Sequence, residues 1–219
     1  VTFDWSVVWA HASELLQGTE LTIMLAVVTM VIAVPGGIIL ALLRLSGSRV
    51  LAAISASFTE FFRNLPLILV IYAAYYMLPL AFDVAFSPIA TAFIALSLNV
   101  AAYNGETFRA GIASIRRGQS EAALALGMSR FQAMREVILP QAIRRVLPVL
   151  ASTWVSLFKD TSLVSVIAVG ELAYTSMRIR SQTFRVLEML TAMAAIYWML
   201  GYPQAKLVDW LNRRYGISE

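Results

Sequence analysis

The sequence predicts an all-α integral membrane protein. Five transmembrane helices are expected, with the N-terminus outside, the C-terminus inside and a polar helical insert on the inner side. Three observations lead there. The 219 residues are 59% hydrophobic and only 14% charged, with a mean hydropathy of +0.74. A soluble domain of that size lacks the interior to hide so much apolar surface. Leu21–Leu43 carries no charge over 23 residues, and Leu65–Phe82, Val84–Gly105 and Met189–Ala205 are also charge-free. Val146–Gly170 is interrupted only by Lys159-Asp160. About 20 apolar residues cross the hydrocarbon core as a helix. Finally, basic residues cluster on one side, as retention of positive charge in the cytoplasm requires. Residues 1–43 hold no Lys or Arg, and in the five-span arrangement 12 of the 17 Lys+Arg fall inside.

The chain is expected to be a single transmembrane domain, 1–219. Residues 1–20 hold Trp5 and Trp9, which suit a membrane interface, and Asp4, Ser6, His11, Ser13, Glu14 and Gln17, which oppose burial in lipid. They predict an amphipathic helix on the outer face. The opening lacks a basic segment, so Leu21–Leu43 is expected to anchor the chain and not to be cleaved. The first span, about 19–44, contains Pro35-Gly36-Gly37, a kink or a point of close packing. The second, about 50–79, begins with the small residues Ala52, Ala53, Ser55, Ala56 and Ser57 and bends at Pro66. The third is expected at about 88–111, the fourth at 144–170 and the fifth at 186–211, with 171–185 as an outer segment.

Residues 112–143 form the insert. Ser120 can cap a helix starting at Glu121, whose carboxylate favours that end of the dipole. Ala122, Ala123 and Ala125 are strong helix formers with almost no bulk, suited to lying in a partner's groove. Gly127 allows a reversal, and Ser129-Arg130-Phe131-Gln132 has the spacing of a capping box for a second helix. That helix is expected to end at Pro140.

Glu121-Ala122-Ala123, three residues, Gly127 and then Ile138-Leu139-Pro140 resembles the EAA signature of the membrane subunits of bacterial ABC importers. Phe62-Arg63-Asn64-Leu65-Pro66-Leu67, Ala102–Gly111 and Phe158-Lys159-Asp160-Thr161-Ser162-Leu163 are similar to segments of the polar amino-acid permeases within that family, although Asn64-Leu65 departs from the usual Gly-Thr. The resemblance covers residues 17–214. It implies a dimeric bundle of five-span subunits in the bacterial inner membrane. The pair, identical or related, binds two cytoplasmic ATP-binding subunits and receives an amino acid from a periplasmic binding protein. It also makes the insert a coupling helix, with Glu121, Ala122, Ala123, Leu124, Gly127, Met128 and Ser129 as the docking residues. The subunit performs no chemistry itself and needs no cofactor.

Intramembrane charges are costly and usually face a cavity or one another. Arg63 is suited to a substrate carboxylate through its bidentate fork. Glu106 or Asp160 would take an ammonium, and Tyr103, Asn99, Ser162 and Gln204 would add hydrogen bonds, with Lys159 nearby. The alternative is mutual pairing: Glu60 with Arg63, Glu106 with Arg109, and Lys159 with a carboxylate. A permease for methionine or an opine is a second reading. An intramembrane hydrolase using Lys159 and Ser162, or a channel, is a remote third. No cysteine is present and His11 is the single histidine, which leaves no metal cluster, and the basic balance is explained by topology without nucleic acid.

Overall fold

The computed structural model describes residues 3–215, which are helical with no strand among them. In order, the helices are α1 (Ser6–Ala10), α2 (Ala12–Arg44), α3 (Arg49–Asn64), α4 (Leu67–Tyr72), α5 (Leu78–Phe82), α6 (Pro88–Ala113), α7 (Arg117–Ala125), α8 (Arg130–Gln132), α9 (Leu139–Asp160), α10 (Leu172–Thr183) and α11 (Val186–Tyr215). By length and composition α2 can cross a membrane alone, and α3 with the run Leu67–Phe82 passes the same test as a pair bent by 107°.

The N-terminal segment differs from expectation. The amphipathic helix is reduced to α1, and α2 runs unbroken from Ala12, seven residues before the predicted span. Ser13, Glu14 and Gln17 do not break a helix, and Glu14 is satisfied by Arg178 at 2.6 Å. The Pro35-Gly36-Gly37 run is a close-packing point. A Cβ on Gly37 would lie 2.6 Å from Asn104 Cβ and 2.9 Å from the Gly105 nitrogen, so α2 and α6 meet backbone to backbone there. Ser55 is the small residue of α3 that does the work of contact: its hydroxyl donates to the Leu40 carbonyl at 2.7 Å.

Pro66 breaks the second apolar segment outright. Leu65 is held extended before the proline, and α4 leaves at 107° to α3. Beyond α4, π-helical turns over Ala73–Met77 lead into α5, which stops where Asp83 adopts φ 53°. Ser87 caps α6 by accepting from the Ala90 N–H.

The predicted fourth span is not one helix. α9 starts at Leu139 and ends at Asp160, and a 3₁₀ stretch over Thr161–Ile167 follows. The Thr161 hydroxyl donates to the Phe158 carbonyl at 2.8 Å and that of Ser162 to the Lys159 carbonyl at 2.7 Å. Such local side-chain bonds compete with continuation of the α-helix. Ala168, at φ 60°, turns the chain back to Glu171, which is fully buried and caps α10. Its carboxylate accepts from the N–H groups of Ala173 (2.8 Å) and Tyr174 (2.7 Å) and from the Tyr197 hydroxyl (3.0 Å). The main apolar core joins α2, α4, α6 and α9 around Leu25, Ile71, Leu96 and Phe158.

Candidate functional site

A helix interrupted by proline leaves carbonyls without partners. The Phe62 carbonyl would normally receive the N–H of residue 66, and Pro66 has none. Asn99 of α6 takes its place, donating Nδ2–H to the Phe62 oxygen at 3.0 Å. The Tyr103 hydroxyl donates to the Arg63 carbonyl at 3.4 Å, and its ring lies under the Arg63 guanidinium, 5.5 Å from carbon to centroid. Two residues expected to hydrogen-bond a ligand therefore first cap a broken helix. Asn99 retains its carbonyl oxygen as a further acceptor, and Tyr103 acts through its ring as well as its hydroxyl.

The break opens a cleft of about 590 Å³. Its walls are Arg63–Leu67 at the bend, Asn99, Val100 and Tyr103 of α6, and a strip of α9 from Val149 to Asp160. Arg63, Asn99, Tyr103 and Asp160 are thus brought together. Arg63 is exposed in the single subunit and has no carboxylate within 4.0 Å among the described residues. The expected Glu60–Arg63 pair does not form, because Glu60 turns to Arg44 at 3.9 Å.

Glu106 stands just outside this cleft. It lines two adjoining pockets that also contain Arg63, of about 140 and 350 Å³. Its carboxylate is committed to the fork of Arg109, with Nε–Oε2 at 2.9 Å and Nη2–Oε1 at 2.5 Å. The pairing alternative holds for Glu106. Asp160, half-buried at the end of α9, has no ion-pair or hydrogen-bond partner among the described residues.

Three expected contacts are absent from the cleft wall. Lys159 is exposed one position round the helix from Asp160, and Ser162 lies beyond the end of α9. Gln204 belongs to α11, where its Nε2 donates to the Leu200 carbonyl at 2.9 Å. The hydrolase alternative also loses its geometry, since the Ser162 hydroxyl is bonded to the Lys159 main chain and not to its amine. Conversely, Ser152, Thr153, Ser156 and Asn64 line the cleft and were not anticipated. Their signal was present: hydroxyls at 152, 153 and 156 share a helical face within an otherwise apolar run.

The first helix of the insert begins one turn earlier than its expected start at Glu121. α7 starts at Arg117, and Ser120 sits inside it, its hydroxyl donating to the Arg117 carbonyl at 2.9 Å. Its end is as the glycine requires. Gly127 has φ 81°, its N–H meets the Leu124 carbonyl at 3.0 Å, and the Met128 N–H meets the Ala123 carbonyl at 3.1 Å. This is the paired bonding of a Schellman motif. The capping box is present: Gln132 N–H to Ser129 Oγ at 3.2 Å, and Ser129 N–H to Gln132 Oε1 at 2.8 Å. Pro140 does not end the second helix. π-helical turns over Ala133–Ile138 precede it and carry α8 directly into α9, accommodating the missing N–H without a stop. Ala123 is 3% exposed, whereas Glu121, Ala122, Leu124 and Ser129 are exposed and Met128 is half-buried.

A helical bundle with an open cleft that sets Arg63, Asp160 and several hydroxyls among apolar side chains, and with a capped, charged helix pair, has the features of a membrane transport subunit. Residues 33–217 match the family described as binding-protein-dependent transport system inner membrane component, and the chain belongs to that family. It is 36% identical to the probable amino-acid permease protein YxeN of Bacillus subtilis, covering 97% of this chain and 96% of that one. It is 35% identical to the glutamine transport system permease protein GlnP of Escherichia coli (98% and 99%) and 36% identical to the glutamate/aspartate import permease protein GltK of that species (97% and 98%). Among solved structures, an amino acid ABC transporter crystallised with histidines superposes with a TM-score of 0.90 at 32% identity, covering 98% of this chain and 100% of that chain. A transporter importing alginate shares the fold at a TM-score of 0.74 and 14% identity, covering 98% and 84%.

Proposed function

We propose that this chain is the permease subunit of an ATP-driven importer of polar amino acids. It would work as one of a pair in the inner membrane, with two cytoplasmic ATP-binding subunits and a periplasmic amino-acid-binding protein. Five membrane crossings, the N-terminus outside and the C-terminus inside are part of this reading, supported by the charge asymmetry of the sequence. So is a coupling role for residues 112–143, which carry motion from the ATP-binding pair into the bundle. ATP hydrolysis belongs to those partners.

One observation carries the substrate class. Arg63 presents a guanidinium to the cleft with no carboxylate partner among the described residues, seated on the Tyr103 ring. A cation with no directly paired carboxylate in a membrane bundle is suited to an anionic group supplied by the ligand. Every amino acid brings a carboxylate, which Arg63 can take through two parallel hydrogen bonds. Asp160, equally without a partner and on the opposite wall, is suited to the ammonium or a cationic side chain. The acceptor oxygens of Asn99, Ser152 and Thr153 fit the remaining donors.

The test is uptake into proteoliposomes containing this subunit, its ATP-binding partner and its binding protein. Uptake of a radiolabelled amino acid should require ATP and the binding protein together. Arg63→Ala should reduce it at least tenfold, consistent with loss of a charged hydrogen bond of about 1.5–3 kcal/mol. Full uptake by Arg63→Ala would remove Arg63 from the site.

A further inference from the structure

α2 and α11 both pack against α10, yet they stand apart over part of their length and leave a groove of about 570 Å³ between them. Ala12, Leu15, Leu16 and Thr19 of α2 form one wall, and a strip of α11 from Thr191 to Leu200 forms the other. Trp5, Val8 and Trp9 of the α1 segment lie across one end. The Asp4 N–H donates to Glu188 Oε1 at 3.0 Å and pins that end to α11. The lining is apolar but for two threonines, and Thr19 turns its hydroxyl back to the Leu15 carbonyl at 2.7 Å.

The first turns of α2 have two faces. At the helical period, Ala12, Leu15, Leu16 and Thr19 fall on one side, and Ser13, Gln17 and Glu20 are exposed on the side next to it. A helix divided in this way lies at a membrane surface with its apolar face toward acyl chains. Trp5 and Trp9, 47% and 78% exposed, are of the kind that sits at headgroup level. The α11 wall is roughly 13–14 Å long at 1.5 Å per residue. That is close to the half of a hydrocarbon core of about 30 Å that belongs to one leaflet. A helix about 10 Å across would need on the order of 1,000 Å³ over that length, nearly twice the space. A single acyl chain is narrower and fits. Apolar cavities exclude water, and lining atoms left without neighbours forfeit their dispersion contacts, so a groove of this kind is completed by lipid.

The charges at the tryptophan end select the headgroup. Asp4 and Glu188 share the guanidinium of Arg185, each at 3.7 Å, and the Asp4 side chain is 46% exposed. Two carboxylates around one guanidinium favour a headgroup that brings a cation. We propose that this groove is a binding site for phosphatidylethanolamine, with one acyl chain between α2 and α11 and the headgroup ammonium against the Asp4 carboxylate. The site is separate from the Arg63 cleft and takes a ligand of a different class. It rests on the reading of the chain as a membrane subunit, and the sidedness proposed above decides only which leaflet supplies the lipid.

The test uses the assembled transporter. It is reconstituted with equal amounts of phosphatidylethanolamine and phosphatidylglycerol, extracted in mild detergent, washed and weighed by native mass spectrometry. The parent should retain phosphatidylethanolamine over phosphatidylglycerol at least fivefold. Ala195→Trp adds a ring inside the groove and should lower the retained phosphatidylethanolamine at least fivefold. Val31→Trp adds the same ring on an exposed part of α2 outside the groove and should leave it bound. Asp4→Asn should bring the two lipids toward parity. Equal retention of both lipids by the parent, undiminished lipid on Ala195→Trp, or equal loss from both tryptophan variants would overturn the proposal. An Ala195→Trp subunit that no longer pairs would give the groove to the second subunit and overturn it as well. ATP-driven amino-acid uptake by the parent preparation is scored separately, so failure of the transport reading is distinguishable from failure of the lipid site.

Discussion

Arg63 shows how much a single covalent detail can organise. Pro66 removes one N–H, the helix ends, and two residues of α6 move in to satisfy what is left. The same interruption places Arg63 in the wall of a cleft that Asp160 lines from α9. Asp160→Asn should therefore separate binding from coupling: we expect KM for an amino acid carrying a cationic side chain to rise at least tenfold, with ATP hydrolysis in the assembled transporter retained. Equal KM in the variant would exclude Asp160 from contact. Glu171 is the other residue with a defined electrostatic cost. Burial raises its carboxyl above the usual range, outweighing the hydrogen bonds from Ala173, Tyr174, Tyr197 and Thr22 that favour the anion. The folded state then holds this proton more tightly than the unfolded chain. Its contribution to stability is greatest below the ordinary value of 4.5 and declines as pH rises through the raised folded value. The thermal midpoint in detergent should fall over that window, and Glu171→Gln should flatten the fall. An unchanged slope in the variant would place the titration elsewhere.

Helices meet here on small residues because lipid supplies no hydrophobic drive between them. Gly37 against Asn104 and Gly105 is the tightest case on α2. Gly37→Ala would force its Cβ to within 3.0 Å of Gly105 backbone, so α2 and α6 must part. A destabilisation of about 1–3 kcal/mol is expected, read as a lower thermal midpoint in detergent. No loss would mean that the helices are free to slide. At the insert, Gly127→Ala places a Cβ at φ 81°, with about 1–2 kcal/mol of strain focused on the turn between α7 and α8. It should uncouple ATP hydrolysis from uptake more than it lowers the overall thermal midpoint, measured on the same proteoliposomes. Glycine positions of both kinds were visible in the sequence. What each glycine touches was not, because a close approach involves a second helix far away in the chain.

For the molecule as a whole, the charge asymmetry predicts sidedness. Single cysteines at Gly118 and Ser46 should be shielded from an impermeant maleimide in intact cells, while Ser181→Cys on α10 should react. Gly118, with open space around it, and Ser181 are both exposed, so their contrast tests topology and not burial, while Ser46 is half-buried. The reverse pattern would invert the bundle. The N-terminal segment is also tied by ion pairs that no local pattern announces: Glu14 with Arg178, and Asp4 with Arg185. The first joins α2 to α10 and accounts for the extension of α2 past the predicted span into a polar segment.

By itself the sequence determined the all-helical character of the chain, the sidedness expected of it and the corner of the insert. Those depend on local quantities: hydropathy over about 20 residues, the sign of flanking charges, and caps within one turn of their helices. Arg63 and Asp160 were legible for the same reason, as charges within apolar runs. Only the tertiary structure decided that Asn99 and Tyr103 cap the break at Pro66, and that Lys159, Ser162 and Gln204 lie off the cleft. It also decided that Ala123 packs inward while Leu126 and Phe131 protrude. Each of these outcomes depends on which helix faces which, and that is set by contacts between residues tens of positions apart, where neither period nor propensity carries information.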